Sequence, residues 1–288
     1  MIETLLSPFT FGFMREAFLI GAIVAIPTAM LSCFLVLKGW ALMGDAVSHA
    51  VLPGIVLAYI LNFPLIIGAF AAGMVTALAT GYLAENSRIK QDTVMGVVFS
   101  GMFGLGIVLY TSITSDVHLD HILFGNILGV GKQDLLTAGS ISAVAALVLA
   151  VKWRDLMLFT FDPAQARASG LRVGLLHYGL LTILSLTIVA TLTATGLILA
   201  VGLLIAPGAI AFLMTRSFGR MLVIVVVTCL GSMIVGIYAS FFIGSEPAPT
   251  VILTLTAIFV VALIRRTAQI RRTTSVTVPP LAVSDNSD

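Results

Sequence analysis

Apolar runs of about twenty residues, each closed by a short polar or basic stretch, repeat along almost the whole chain. A run of that length is what an α-helix rising ~1.5 Å per residue needs to cross a hydrocarbon core of ~30 Å. The pattern predicts about nine spanning helices, with eight to ten as the range, at 17–37, 41–61, 64–84, 93–112, 135–151, 173–194, 196–214, 221–243 and 248–264. The second and seventh runs each contain Pro-Gly and are candidates for broken helices. Residues 1–14 are moderately apolar and are expected along the membrane surface. The fold class is therefore an all-α polytopic membrane protein, with a transmembrane domain over 1–266 and a polar, disordered cytoplasmic tail over 267–288.

Composition sharpens this. Of 288 residues, 59% are hydrophobic and 10% are charged, and the mean hydropathy is +1.13. Soluble domains carry ~25% charged residues, so one membrane domain is the simplest organisation. Cys33 and Cys229 each lie in an apolar run with no CxxC partner, which argues against a disulfide framework or a thiolate metal site. The first fifteen residues lack a basic n-region and a small-residue cleavage site, so they are expected to remain in the mature protein. The net charge of +2 says little, but its placement says more. With the C-terminus in the cytoplasm, Lys38, Arg88, Lys90, Lys152, Arg154, Arg167, Arg172, Arg216, Arg220, Arg265, Arg266, Arg271 and Arg272 fall inside. Arg15 and Lys132 fall outside, in agreement with the positive-inside rule, and nine spans then put the N-terminus outside.

Within this apolar field, Met43-Gly44-Asp45-Ala46-Val47-Ser48-His49-Ala50-Val51-Leu52-Pro53-Gly54 places an acid and an imidazole inside a span. At ~100° per residue, Asp45 and His49 share one helix face about a turn apart, so both can reach one small ion. Pro53 has no N–H, which deprives the His49 carbonyl of its helical donor and leaves that oxygen for a water or a cation. A carboxylate at the bilayer centre costs at least ~2.5–3.5 kcal/mol, and such residues usually face a cavity or pathway. Asp45 and His49 accordingly mark a polar path through the protein. The competing reading makes Asp45 an N-cap and His49 a satisfied core or pore residue. Capping explains Asp45 but neither His49 nor Pro53.

Pro53-Gly54 and Pro207-Gly208 are the predicted helix kinks. Aligned on their prolines, they predict an inverted repeat of spans one to four and six to nine, joined by span five. The second copy has Leu199 and Leu203 where the first has Asp45 and His49. Chance recurrence in a Gly-rich membrane chain is the alternative. Gly96, Ser100 and Gly104 form a small-residue stripe that lets another helix approach closely.

Two loops add candidates. Phe161-Asp162-Pro163-Ala164-Gln165-Ala166-Arg167-Ala168-Ser169-Gly170-Leu171 reads as a two-turn helix with Asp162 as N-cap, Pro163 at the first helical position and Gly170 at the C-terminal cap. A short capped helix on the cytoplasmic face suits a partner's groove; a plain connector is the other reading. The external stretch Ser115 to Asn126 holds Asp116, His118, Asp120 and His121. His118 and His121 are three apart and could collect or gate a cation, although solvated loops also carry such residues without chemistry. His177, near the cytoplasmic end of a span, is expected to be a packing residue.

No HExxH, GxSxG or GxxxxGK[ST] occurs; Gly129-Val130-Gly131-Lys132 continues with Gln133. The chain is thus not expected to be an enzyme or to hydrolyse ATP alone.

The stretches Gly44-Asp45-Ala46-Val47-Ser48-His49-Ala50 with Leu52-Pro53-Gly54, His121 to Gly129, Asp162 to Leu171, and Leu203 to Gly208 together resemble the permease of the ABC-3 family of bacterial metal importers. The similarity runs over 1–264. With Val36-Leu37-Lys38-Gly39-Trp40 ahead of the first motif, it looks like the manganese/iron permeases of Gram-negative bacteria. The resemblance implies the ABC-3 permease fold in the bacterial cytoplasmic (inner) membrane. It also implies a second permease copy or sister permease, two cytoplasmic ATPase subunits and a periplasmic metal-binding protein, with no nucleic acid. No cofactor is expected to be held permanently. The substrate implied is Mn2+, then Fe2+, with Zn2+ as the alternative. Asp45 and His49 match the family's metal-coordinating pair, and residues 162–171 match its coupling region. Two facing protomers would offer two carboxylates and two imidazoles, a set that suits a divalent transition metal. The runner-up from another class is a proton-coupled secondary transporter with Asp45 and His49 as the relay. An intramembrane enzyme is weaker, since no nucleophile or second catalytic carboxylate accompanies the pair.

Overall fold

The computed structural model describes residues 7–112 and 127–274, and among these the regular structure is entirely helical. The helices are α1 (Gly12–Lys38), α2 (Met43–Ala50), α3 (Leu52–Ile60), α4 (Leu65–Asn86), α5 (Gln91–Thr111), α6 (Lys132–Phe161), α7 (Pro163–Ala168), α8 (Val173–Thr195), α9 (Leu197–Met214), α10 (Phe218–Ile243) and α11 (Pro247–Thr274), with a 3₁₀ turn at Ile127–Gly129. Nine stretches among the described residues are long and apolar enough to cross a membrane, α2 and α3 together making one of them. This is the number the apolar runs predict.

The layering follows from which helices are apolar on every side. A helix apolar all round has no face to offer water and is buried or faces lipid. α1 takes the central place: Ile20, Val24, Leu31, Phe34 and Leu35 are fully buried, and it packs on α6, α9 and α10. α5 is at the other extreme, the least enclosed of the nine. α1 ends at Gly39, whose positive φ of 73° lets its N–H and that of Trp40 turn back to the Val36 and Leu35 carbonyls. This left-handed cap is open to Gly without a Cβ clash, and it aims the chain straight into α2.

The two Pro-Gly spans behave differently. The second span breaks at Val51, two residues ahead of Pro53, which sits in the first turn of α3 where its missing N–H costs nothing. Val51 keeps right-handed helical dihedrals, so the break is slight. The carbonyl of His49 is not left bare as the sequence suggests, because the Val51 N–H turns to it. The seventh span does not break: Pro207 and Gly208 lie inside the unbroken α9. Neighbouring helices make up for the lost bond in such segments.

The glycines after both prolines serve close packing. A Cβ on Gly54 would collide with the carbonyl of Gly68, and one on Gly68 with that of Gly54, so α3 and α4 touch backbone to backbone. A Cβ on Gly208 would meet the carbonyl of Ser32 in α1. The stripe Gly96, Ser100 and Gly104, by contrast, is exposed, and no atom of another element comes within 4 Å of a Cβ built on either glycine. Among the described residues no helix fills it.

The last helix is longer than expected. α11 continues to Thr274, past the boundary at 266 where a disordered tail is expected to begin. Ala, Gln and Arg are good helix formers, and arginines near a helix C-terminus favour the macrodipole. The remaining tail, 275–288, and the loop holding His118 and His121 lie outside the described residues.

Candidate metal site

α2 turns most of its surface inward: Met43, Gly44, Ala46, Val47, Ser48 and Ala50 are buried. Gly44 allows this, since a Cβ there would come 2.9 Å from Leu204 Cδ1 of α9. Ser48 Oγ donates to the Gly44 carbonyl at 2.7 Å, satisfying its hydroxyl inside the helix. The side left over carries Asp45 and His49, whose side chains are 41% and 26% exposed.

The pair is in contact. His49 Nδ1 lies 3.2 Å from Asp45 Oδ1 and 3.1 Å from the Asp45 backbone carbonyl oxygen. Asp45 is the third residue of α2, and the helix has no side-chain N-cap. The capping alternative therefore fails: the carboxylate turns along the helix to the imidazole instead of back to the first N–H groups. Nδ1 faces two oxygens; in the neutral ring the tautomer that donates from Nδ1 leaves the lone pair on Nε2, and the other tautomer leaves it on Nδ1.

This geometry offers a cation two modes. Ligands ~2.1 Å from one ion stand roughly 3.0–3.4 Å apart at angles from a right angle to tetrahedral, and the observed gap of 3.2 Å falls in that range. Alternatively Nε2 binds the ion while Asp45 orients the ring through Nδ1, the usual arrangement around a metal-bound histidine. In both modes the pair supplies at most two ligands. Among the described residues, no group of three or more His, Cys, Asp or Glu could hold a metal ion.

Sequence reasoning missed the walls of this site. Phe99 and Phe103 of α5 meet the His49 ring edge-on at centroid distances of 5.2 and 5.8 Å. They stack on each other at 6.0 Å and wall the imidazole from α5. Their i, i+4 spacing was visible in the sequence, but nothing there said that α5 lies beside α2.

The helix expected between spans five and six is present, shorter than predicted, as α7 (Pro163–Ala168). Asp162 Oδ1 accepts from the N–H of Ala164 at 3.0 Å and of Gln165 at 2.9 Å. Pro163 occupies the first turn, and Gly170, with φ of 80°, follows the Ser169 cap. Ala166 is buried, whereas Pro163, Ala164, Gln165, Arg167 and Ala168 are exposed. Near this helix a second aromatic cluster joins the elements. Lys38 Nζ sits 3.7 Å from the Phe159 ring centroid and 5.1 Å from that of Trp40, and His177 meets Trp40 edge-on at 5.6 Å. His177 also packs against Phe159 and Tyr178, as a packing residue does. Phe159 lies just before α7 and Trp40 just before α2, so the cluster joins the segments that lead into these two helices. Leu199 and Leu203, aligned with Asp45 and His49 in the expected repeat, are fully buried.

A bundle of membrane-spanning helices that keeps an acid–imidazole pair on a half-open face of its second span belongs to the class of multi-pass transport proteins. Residues 10–266 match the model of the ABC 3 transport family, and the chain belongs to that family. It is 52% identical over 265 residues to the chelated iron transport system membrane protein YfeD of Yersinia pestis, covering 92% of this chain and 89% of that one. It is 44% identical over 260 residues to the manganese transport system membrane protein MntB of Synechocystis sp., covering 90% and 85%. Among solved structures, PsaBC from Streptococcus pneumoniae in complex with Fab superposes with a TM-score of 0.81 at 33% identity, covering 91% of this chain and 95% of that one.

Proposed function

We propose that this chain is the membrane-spanning subunit of an ATP-driven importer that carries manganese(II) or iron(II) across the bacterial inner membrane, with its C-terminus in the cytoplasm. The observation that carries this reading is the Asp45–His49 pair, a carboxylate and an imidazole held 3.2 Å apart on a part-open face within a span. Oxygen with nitrogen and no thiolate suits these ions. Relatives named for iron and for manganese support both metals, and zinc is the alternative that the same ligands accept.

Half a ligand set calls for a second half. A second permease copy or a sister permease supplies it, and the uncovered stripe on α5 beside Phe99 and Phe103 is the natural place for close approach. Two cytoplasmic ATPase subunits engage α7, whose capped and exposed helix is suited to a partner's groove, and a periplasmic binding protein delivers the ion. The Lys38–Trp40–Phe159 cluster is then the mechanical link from α7 to α2.

The test is metal accumulation in proteoliposomes holding the permease with its ATPase and its binding protein. Uptake that requires ATP supports the importer. Uptake that follows a proton gradient without ATP replaces it with the secondary-transporter reading, and a preference for zinc over manganese and iron corrects the metal.

A further inference from the structure

Two grooves meet at the end of the bundle where α1, α6 and α9 finish, and they share Leu213 and Arg266. The first, about 250 Å³, follows α9 and α11 from Ile258 to Arg265 and Arg266. The second, about 550 Å³, has apolar walls that include Leu37 and Met221, and Arg216 and Arg266 in its lining. No acidic residue lines either groove. Neither Arg216 nor Arg266 forms an ion pair among the described residues.

Their depth is fixed by the helices. The apolar stretch 247–264 of α11 extends about 27 Å, close to the ~30 Å of a hydrocarbon core, so Arg265 and Arg266 stand at the headgroup boundary. The apolar run of α9 stops at Met214, just before Arg216, and that of α1 at Leu37, just before Lys38. All three ends mark the same level, because Leu37, Arg216 and Arg266 line one groove.

Two apolar channels joined by guanidinium groups at a membrane boundary have the chemistry of one kind of molecule. We propose that the joined grooves bind an anionic diacyl phospholipid, with its phosphodiester on Arg216 and Arg266 and one acyl chain along each groove. Guanidinium groups bind phosphate oxygens bidentately, and basic pockets between spanning helices are a known way to hold anionic headgroups. The site is independent of the transport reading, since it is read from binding to the chain alone.

The experiment is native mass spectrometry of the purified full chain in detergent, offered phosphatidylglycerol, phosphatidylcholine with the same acyl chains, or inorganic phosphate. Wild type is expected to retain phosphatidylglycerol over phosphatidylcholine. Arg216→Gln and Arg266→Gln are each expected to lower that preference roughly fivefold. Arg220→Gln, on the same end but outside both linings, keeps it. Equal retention of the two lipids, an unchanged preference in the two groove variants, or displacement of the lipid by inorganic phosphate alone would each overturn the proposal. So would groove variants that keep their lipid preference and instead lose the ATPase subunit, which would assign the groove to that partner protein.

Discussion

At the residue scale, the account rests on two side chains with different duties. If Asp45 both orients His49 and shares the ion, Asp45→Asn keeps a hydrogen-bonding partner but loses the charge. Metal affinity is expected to fall roughly 10–100-fold, as it does when a histidine's carboxylate partner is lost, and titration of the purified permease with Mn(II) measures it. Protons compete with the metal for the imidazole, so binding requires the neutral ring. Uptake should therefore fall as the pH drops and the ring takes up a proton. The rate against external pH reads this directly, and a profile that stays flat as the medium is acidified would remove His49 from the path. Replacing Phe99 or Phe103 by Ala leaves both ligands and removes the walls that hold the ring. The expected outcome is weaker metal binding with a normal fold.

Elements carry the second set of expectations. Asp162→Ala removes the acceptor for two N–H groups of α7 and should cost that helix ~1 kcal/mol. The measurement is the ratio of metal moved to ATP hydrolysed, which should fall, with Asp162→Ser restoring most of it. Gly54→Val forces a side chain into the Gly68 backbone and should destabilise the α3–α4 contact by ~1–3 kcal/mol, seen as a lower melting temperature in detergent. The sequence showed this element level unevenly. Apolar run length alone gave the spans, since the bilayer fixes how long each must be. The cap residues Asp162, Pro163 and Gly170 gave α7, since capping is local chemistry. Pro53 and Pro207 could not be told apart in this way. Pro53 opens α3 after the break at Val51, whereas Pro207 lies inside the unbroken α9, although the glycine beside each packs against a neighbouring backbone carbonyl. The i, i+4 spacing of Asp45 and His49 was legible for the same local reason that made α7 legible. Phe99, Phe103 and the Lys38–Trp40–Phe159 cluster were not, because they join helices far apart in sequence. The helical stretch past 266 was hidden by its polarity, which signals departure from the membrane and not departure from helix.

On the scale of the whole molecule, the described residues hold nine candidate spans, with the Asp45–His49 pair part-exposed on the second of them and the capped helix α7 between two others. The central claim is that the transported ion passes over Asp45 and His49 under control of ATP. The most direct measurement compares ATP-dependent Mn(II) uptake by wild type and His49→Ala in proteoliposomes with the ATPase and binding protein present, recording ATP hydrolysis in the same vesicles. The account predicts that uptake collapses in the variant while the complex still assembles and hydrolyses ATP. Uptake that continues at the wild-type rate with His49 gone would contradict it.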